Sequence, residues 1–149
     1  MTLAIRTAVA SDIAGMHRVR LAVRENRLTS SVITEKHYIP FIEEVGRSWV
    51  AVEDGVVLGF AAGHKTTGNI WALFVDPAQE GRGLGVALHA AMVSWLFEQG
   101  LPRLWLGTEP GTRAQRFYEA AGWSFVRLSP DGEALDELRA PAVPSAPKH

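Results

Sequence analysis

Three glycines at alternating positions follow an apolar segment and lead into a helical pattern. Gly81, Gly83 and Gly85 come shortly after Val75, and apolar residues recur at helical spacing from Leu84 onward. Glycines let a loop wrap closely around an anion, and the unpaired N–H groups of a helix's first turn point toward it along a favourable dipole. The spacing therefore predicts a loop that binds the pyrophosphate of a nucleotide or coenzyme.

Several nucleotide-binding patterns share this physics, and their spacing separates them. A P-loop needs a Lys-Ser/Thr pair after the last glycine, but Val86 and Ala87 stand there. In a Rossmann fingerprint that starts at Gly81, the third glycine position falls on Val86, and the loop lies in the middle of the chain after several strands. For so short a motif, a tight connection without a ligand stays open as an alternative.

The segment resembles the acetyl-CoA loop of the GNAT N-acetyltransferase superfamily, which reads Gln/Arg-x-x-Gly-x-Gly/Ala. Gly83 and Gly85 fill the two glycine positions, but Glu80 stands where the family usually has Gln or Arg. A carboxylate repels a pyrophosphate, so we expect Glu80 to turn to solvent and Arg82 to restore positive charge. Coenzyme binding is then expected to persist, at reduced strength.

A second segment, from Ala114 through Tyr118 to Trp123, resembles the family's other signature, Ala-x-x-x-Tyr-Glu-x-x-Gly-Phe/Trp. It stands at the distance from the glycines where that signature belongs. The asparagine that the family often carries three residues before the alanine is Gly111 here. Thr112 could cap the helix and reach the coenzyme with its hydroxyl. Two motifs in the right order favour the coenzyme interpretation over a bare turn.

The resemblance implies how a coenzyme would be held. In the family, the strands that correspond to residues 69–75 and 103–107 splay apart, and the pantetheine arm inserts between them. Backbone groups of Leu73 and Val75 would bond the pantetheine. The residues implied at the pyrophosphate are Glu80, Gly81, Arg82, Gly83, Leu84, Gly85 and Val86.

Two groups are implied for the chemistry at the thioester. Tyr118 matches the family's tyrosine near the coenzyme sulfur, and a phenol with a pKa of about 10 can donate its proton to a departing thiolate. A backbone N–H at a bulge in the preceding strand, near Leu73 or Phe74, would stabilise the oxyanion. A helix tyrosine packed on the sheet is the competing interpretation of Tyr118.

A base and an acceptor site complete the expected machinery. Glu109 follows the strand on the far side of the splay and could take the amine proton directly or through water, with His64 and Glu25 as further candidates. Acceptor walls in the family come from the first helices and their loop, which here offer Glu25 and Asn26, and Trp71 could line the pocket. Solvated positions, or a core position for Trp71, are the competing interpretations.

The elements that must position these residues alternate between strands and helices, in the order β-α-α-β-β-β-α-β-α-β-β. Ser11 is predicted to cap the first helix, and Asp54-Gly55 is a favoured hairpin turn. With the resemblance, this order implies an α/β fold: a mixed, mostly antiparallel twisted sheet flanked by helices, with splayed central strands. The predicted strands cover 3–7, 48–53, 56–65, 69–75, 103–107, 123–128 and 134–138, and the helices follow Ser11, cover 38–45, run from Leu84 toward Gly100 and cover 112–121.

Composition limits the possible classes of protein. The 149 residues are 47% hydrophobic and 21% charged with a net charge of −1, which is typical of one ordinary soluble domain, here over 1–139, before a Pro-rich tail over 140–149 that we expect to be disordered. The balance offers no basic surplus for nucleic acid, and no apolar run approaches the roughly 20 residues of a membrane span. A cytoplasmic location is expected because the N-terminus lacks a secretory pattern. Zero cysteines exclude a thiol nucleophile, and five scattered histidines lack zinc spacing, so no metal is expected.

These observations predict an acetyl-CoA-dependent N-acetyltransferase that acts on a primary amine of a small molecule or peptide by direct attack in a ternary complex. Two alternatives remain: a sensor that binds CoA or acyl-CoA without turnover, and an interaction protein with a vestigial cleft. Family analogy suggests a homodimer, for which Phe125 on a terminal strand could serve.

Overall fold

The computed structural model describes residues 2–23 and 33–141. Within these two ranges, seven strands and four α-helices follow one another in the predicted order. The strands are β1 (Leu3–Thr7), β2 (Gly46–Glu53), β3 (Val56–His64), β4 (Ile70–Val75), β5 (Arg103–Thr108), β6 (Ser124–Leu128) and β7 (Ala134–Arg139). The α-helices are α1 (Ile13–Ala22), α2 (Pro40–Glu43), α3 (Leu84–Glu98) and α4 (Arg113–Ala120), and three short 3₁₀ helices cover Ala10–Asp12, Glu35–Tyr38 and Pro77–Gln79.

The strands form two antiparallel sheets that meet at one point. The first sheet has the order β1-β2-β3-β4 and the second β5-β7-β6. Within the described residues, an isolated parallel bridge between Asn69 and Trp105 joins β4 to β5. It is reinforced by Trp105 N, which donates to Gly68 O at 3.0 Å, and by the Trp105 indole N–H, which donates to Thr67 O at 3.1 Å. Beyond this bridge β4 and β5 diverge, which confirms the predicted mixed fold with splayed central strands.

Helix α3 covers one face of both sheets. Its buried stripe of Leu84, Leu88, Met92 and Leu96 repeats at helical spacing and packs with side chains such as Leu104 from β5. The opposite face of the first sheet carries a second core, in which Met16 and Val19 of α1 contact residues of β2, β3 and β4. The first sheet is therefore buried on both sides.

A bulge in β4 changes which face its residues occupy. Ala62 pairs with Ala72 but the next residue, Gly63, pairs with Ile70, so Trp71 is the extra residue. As a result Trp71 and Ala72 both lie on the α1 face, whereas Ile70 and Leu73 lie on the α3 face. The expected bulge near Leu73 or Phe74 is wrong in position, because the ladder with β3 is regular there.

The N-terminal half departs from the predicted helices. Ser11 does not cap α1: it lies inside the 3₁₀ helix, and the Asp12 carboxylate accepts from Val9 N at 2.8 Å instead. The predicted helix over 38–45 is split, because Pro40 has no N–H to continue the hydrogen-bond ladder and so begins α2. Arg20 is buried on the apolar face of α1, at 3% exposure.

The predicted hairpin turn at Asp54-Gly55 is confirmed. Asp54 and Gly55 have φ of 52° and 77°, which suits the tight turn between β2 and β3. Neither stretch of the chain described by the structure contains a helix long and apolar enough to cross a membrane. The predicted tail lies mostly outside the described residues, at 142–149, and its disorder and the domain limits stay predictions.

Candidate active site

The segment between β4 and α3 makes a sharp, glycine-dependent turn. The Asp76 carboxylate accepts from Ala78 N at 3.0 Å and starts the 3₁₀ helix Pro77–Gln79. Gly81 and Gly83 then take φ of 81° and 77°, and a Cβ on either would meet no atom within 4 Å. Both positions therefore require glycine for their backbone conformation and not for space. We call residues 80–86 the glycine loop.

The first turn of α3 presents backbone donors at the end of this loop. Within the helix, Ala87 N is bonded to Gly83 O at 3.1 Å. The N–H groups of Leu84, Gly85 and Val86 precede that bond, so no helix carbonyl is available to them. They form, with the helix dipole of a 15-residue helix, a site suited to a phosphate group.

Gly85 differs from the other two glycines. It lies within the helix, and a Cβ there would stand 3.5 Å from Phe117 Cε1, an ordinary contact. Neither conformation nor packing requires glycine at this position. The pattern Gly/Ala that the resemblance gives for it is compatible with this geometry.

The charges around the glycine loop are arranged differently from the sequence expectation. Arg113 Nη1, at the start of α4, donates to Glu80 Oε1 at 2.7 Å, so the glycine loop is paired with α4 through Glu80. Arg82 does not compensate Glu80: it forms a two-pronged pair with Glu53 at 3.2 and 2.8 Å and bonds Gln79 at 2.7 Å. The Arg82 guanidinium holds the pKa of Glu53 below its ordinary value. The cation beside Glu80 is thus supplied by Arg113.

The open edge of β4 carries unused peptide groups. Asp76 N donates to Leu58 O at 2.8 Å, and in an antiparallel ladder the residues that bond the neighbouring strand alternate. Phe74 therefore bonds β3, whereas the N–H and C=O of Leu73 and Val75 point away from β3 into the gap toward β5. An extended chain with amide groups could pair with this edge.

Tyr118 lies at the inner side of α4 in an aromatic cluster. It is 6% exposed, and its ring contacts Phe117, Trp123 and His89 at centroid distances of 5.4, 5.4 and 6.3 Å. Burial raises the pKa of the Tyr118 phenol, so the side chain stays protonated at neutral pH. His89 Nε2 accepts from the Trp123 indole N–H at 2.9 Å, and burial lowers the pKa of His89.

The loop between β5 and α4 holds the remaining predicted residues of this side. Thr112 caps α4, since its hydroxyl accepts from Gln115 N at 3.3 Å and donates to Glu109 O at 2.7 Å. Gly111 has φ of 80°, which this turn needs. The Glu109 side chain is exposed to solvent. His64 is at the end of β3, and its Nδ1 accepts from Thr66 N and Thr67 N at 3.2 Å each, which uses the lone pair that a base needs.

Trp71 belongs to the other face of β4. Its ring stacks on Phe41 with centroids 4.6 Å apart and meets Tyr38 edge-on at 5.0 Å. The Arg20 guanidinium carbon lies 4.6 Å from the centre of the same ring. Trp71 and Tyr118 therefore lie on opposite faces of β4. The other two predicted acceptor residues, Glu25 and Asn26, lie outside the described residues.

Three residues near the site had no role assigned from sequence: Arg113, His89 and Arg20. Arg113 opens the second motif, so a cation at the first position of that helix was a usable signal. His89 is one turn after Gly85 on the helix face that meets α4. Arg20 interrupts an apolar stripe, four residues after Met16, and such an interruption marks a buried charge only once the packing is known.

The described residues contain no group of three or more His, Asp or Glu side chains placed to hold a metal ion. The domain combines two sheets that separate around a gap, a strand edge with unused amides, and a glycine loop that leads into a helix N-terminus. These are features of an α/β domain suited to a coenzyme. The sequence comparison specifies the family. The acetyltransferase (GNAT) family model matches residues 13–123, and the chain belongs to this family.

Individual relatives agree with this membership. The mycothiol acetyltransferase of Sanguibacter keddieii is 34% identical over 117 residues, which are 72% of this chain and 36% of that protein. The mycothiol acetyltransferase of Streptosporangium roseum is 37% identical over 82 residues, 54% of this chain and 23% of that protein. The chain thus spans about a third or less of the length of these curated relatives.

Among solved structures, the ribosomal-protein-S18-alanine N-acetyltransferase of Escherichia coli superposes with a TM-score of 0.76 at 17% identity. The superposition covers 99% of this chain and 100% of that protein. At that identity the likeness shows the fold alone. It confirms the α/β arrangement with antiparallel sheets and flanking helices that the sequence predicted.

Proposed function

We propose that the chain transfers an acetyl group from acetyl-CoA to a primary amine of a small molecule, by direct attack of the amine within a ternary complex. The observation that carries the proposal is the continuous path from the β4 edge at Leu73 and Val75, through the positive-φ glycines, to the open N–H groups of α3. Coenzyme A offers groups of matching order along its length: amides in the pantetheine arm, then a pyrophosphate. When bound, acetyl-CoA supplies an activated thioester.

The residues of the chain fit the coenzyme in separate ways. The C=O of Leu73 and the outward-facing N–H and C=O of Val75 would bind the pantetheine amides, and Leu84, Gly85 and Val86 would bind the pyrophosphate through their N–H groups. Arg113 supports the anion from the side because it offsets Glu80. The glycine loop residues Glu80, Gly81, Arg82 and Gly83 shape the turn, and Thr112 contributes by fixing the start of α4.

Two groups on the α3 face would act on the reacting atoms. The N–H of Leu73 points into the gap and would stabilise the oxyanion of the reacting thioester. The N–H of Phe74, the other candidate, is used in the ladder with β3. The Tyr118 phenol is protonated at neutral pH, since its ordinary pKa is about 10 and burial raises that pKa, and it would give this proton to the leaving sulfur. Glu109, exposed at the end of β5, would receive the amine proton through water.

The acceptor is a small-molecule amine in this proposal. Support comes from the curated relatives, which are named mycothiol acetyltransferases and match at 34% and 37% identity. The solved structure that is named for a protein acceptor matches at only 17% identity. Trp71, with Glu25 and Asn26 from the undescribed segment, would form the acceptor walls.

A calorimetric titration with acetyl-CoA, with CoA and NAD as comparison ligands, tests the proposal directly. Saturable binding of acetyl-CoA in the micromolar range, about −8 kcal/mol, together with acetylation of a member of an amine panel, is the expected result. Binding without turnover on any amine would favour the sensor, and absence of binding would favour the interaction protein. The variant Gly83→Val separates a specific site from adventitious binding, because a branched side chain cannot take the φ of 77° without strain.

We also propose that two copies associate through β6. This edge strand exposes Phe125, Val126 and Leu128 at 52%, 50% and 57%. Edge strands with apolar side chains and unpaired peptide groups are ready partners for a second chain. Light scattering on the intact chain should give twice the monomer mass, and Phe125→Lys should reduce it to the monomer value; a monomeric wild type would contradict this assembly.

A further inference from the structure

The α1 face of β4 contains a buried guanidinium, that of Arg20, for which the described residues offer no anion. Arg20 is 3% exposed, and its carbon Cζ lies 4.6 Å from the ring centre of Trp71 and 4.9 Å from that of Phe74. The rings of Tyr38 and Phe60 are within 5.7 and 5.9 Å. We call these five residues the Arg20 cluster. Four aromatic rings stabilise a cation, but none of them carries a formal charge.

The hydrogen bonds of Arg20 leave part of the guanidinium unsatisfied. Its Nε donates to the Tyr38 hydroxyl at 3.0 Å, and Nη2 is buried without a partner among the residues that the structure describes. Within 2–23 and 33–141, no carboxylate forms an ion pair with Arg20. Buried charges in proteins are normally paired and hydrogen-bonded, and arginine cannot become neutral by releasing its proton. A donor held in this way is suited to an anion that comes from outside.

Tyr38 and His17 fix the orientation of the guanidinium. The Tyr38 hydroxyl accepts from Arg20 Nε and lies 3.0 Å from His17 Nδ1, so its own proton can be donated to that nitrogen. Because Nε is committed to Tyr38, the two terminal nitrogens remain on the other side of the planar group. That is the fork that binds carboxylates with two parallel hydrogen bonds.

The cluster lies where an acceptor has to be. Trp71 is the extra residue of the β4 bulge, one position from Ile70 and two from the bridge that marks the start of the gap between the sheets. Leu73, whose peptide faces that gap, follows two residues later. A molecule held at Arg20 therefore lies beside the stretch of β4 that would carry the thioester, on the face opposite α3.

From this geometry we infer that Arg20 binds the carboxylate of the acceptor, so that the substrate class is an amine that also carries a carboxylate, such as an amino acid. The inference rests on the proposed acetyltransferase activity. In this inference Arg20 determines the specificity for the acceptor and takes no part in the chemical step.

The first test compares matched acceptors. Each common L-amino acid and its carboxamide are offered with acetyl-CoA to the wild type, to Arg20→Met and to the control Arg139→Met, whose residue is exposed at 76% on β7. We expect the wild type to prefer the acid of its best acceptor at least tenfold in kcat/KM. Arg20→Met should remove this preference through KM, and Arg139→Met should keep it. A preference that survives in Arg20→Met, or none in the wild type, would overturn the inference.

The second test does not depend on turnover. The side-chain Nε–H signal of Arg20 is assigned by its loss in Arg20→Met and is followed by NMR during titration of the CoA-saturated protein with the same acids and amides. Saturable shifts with an acid, but not with its amide, are expected. If no acid shifts the signal, the inference is rejected. It is also rejected if Glu25→Gln alone shifts the signal without added ligand, because the counter-ion of Arg20 would then come from the chain itself. Failure of the wild type to bind acetyl-CoA would instead reject the proposed function.

Discussion

The two faces of β4 treat charge in opposite ways. On the α3 face the charged side chains are paired at the surface, as Arg113 is with Glu80 and Arg82 with Glu53, and the groups offered to a ligand are backbone amides. On the α1 face one cation is enclosed by aromatic rings and keeps an unpartnered donor. In the two proposals, backbone amides would bind the coenzyme, whereas the buried Arg20 side chain would distinguish one acceptor from another. The comparison teaches that coenzyme binding and acceptor selection can be assigned to two sides of one strand.

The largest effect is expected at Tyr118, which tests whether chemistry belongs to the α3 face. Tyr118→Phe removes the proton intended for the leaving sulfur but keeps the ring in its aromatic cluster. Steady-state kinetics with a working acceptor should show kcat reduced well over tenfold, while calorimetry shows acetyl-CoA affinity nearly kept.

The comparison variant for the other face changes Phe60, which belongs to the Arg20 cluster and lies on the α1 face. Phe60→Leu should change kcat far less than Tyr118→Phe. Equal losses in both variants would erase the distinction between the faces.

The glycines of the loop should give the next largest effect. Gly83 has φ of 77°, and an L-residue there costs about 1–2 kcal/mol, so Gly83→Ala should weaken acetyl-CoA binding about tenfold. Gly85→Ala is the control, because its Cβ meets only an ordinary contact with Phe117. Titration calorimetry on both variants makes the comparison, and an equal loss in both would mean that crowding by the ligand, and not backbone conformation, explains the glycines.

Asp136 on β7 sharpens the contrast with Arg20, since it is also buried, at 1% exposure, with both carboxylate oxygens unpartnered. Burial, together with the nearby Glu119, raises the pKa of Asp136, so the folded protein loses stability as pH rises from about 4 through that raised pKa. Asp136→Asn should raise Tm at pH 7 by a few degrees, about 2–4 °C. The gain should shrink toward pH 4, where the wild-type carboxyl is protonated.

Thermal melts across this pH range measure the effect at Asp136. A gain that does not depend on pH would mean that the group is neutral throughout. An acid can escape its charge in this way and an arginine cannot, which is why an anion was inferred for Arg20 and none for Asp136.

The smallest effect is expected from the exposed pair on the α3 face. Glu80→Gln removes a carboxylate from the glycine loop and should tighten acetyl-CoA binding two- to threefold, about 0.5 kcal/mol, because surface pairs contribute little. Arg113→Gln should weaken binding by a similar factor. Both changes should fade when the salt concentration is raised to about 0.5 M. If the changes in acetyl-CoA affinity persist at high salt, these side chains contact the coenzyme directly and do not act through long-range electrostatics alone.

Sequence reasoning succeeded where structure is set locally. The alternating glycines, the stripe from Leu84 to Leu96 and the Asp54-Gly55 turn each act within a few residues, and they fixed the loop, α3 and the β2–β3 hairpin. The Thr112 cap is equally local. The order of the elements and the separation of the sheets followed from these parts and from the resemblance.

Other features depend on partners that are far away in the chain. The bulge at Trp71 arises from the register with β3, and Glu80 meets an arginine 33 positions later. Arg20 departs from an apolar stripe, and only the rings around it show why the position tolerates a charge. Ser11 illustrates the limit even for a local signal, because it lies inside the 3₁₀ helix Ala10–Asp12 and no described side chain caps α1. These features need the packed structure.

The Asn69–Trp105 bridge has a consequence for how the chain unfolds. In the described part of the chain, this bridge is the single strand-to-strand connection between the two sheets. Further hydrogen bonds between the sheets would have to come from a ligand bound between β4 and β5. A coenzyme arm that pairs with β4 would bind the folded state alone and would therefore stabilise it. The free energy of unfolding would then grow with the logarithm of the coenzyme concentration. Folding cooperativity between the halves, and with it resistance to proteolysis, would then follow the supply of acetyl-CoA around the protein.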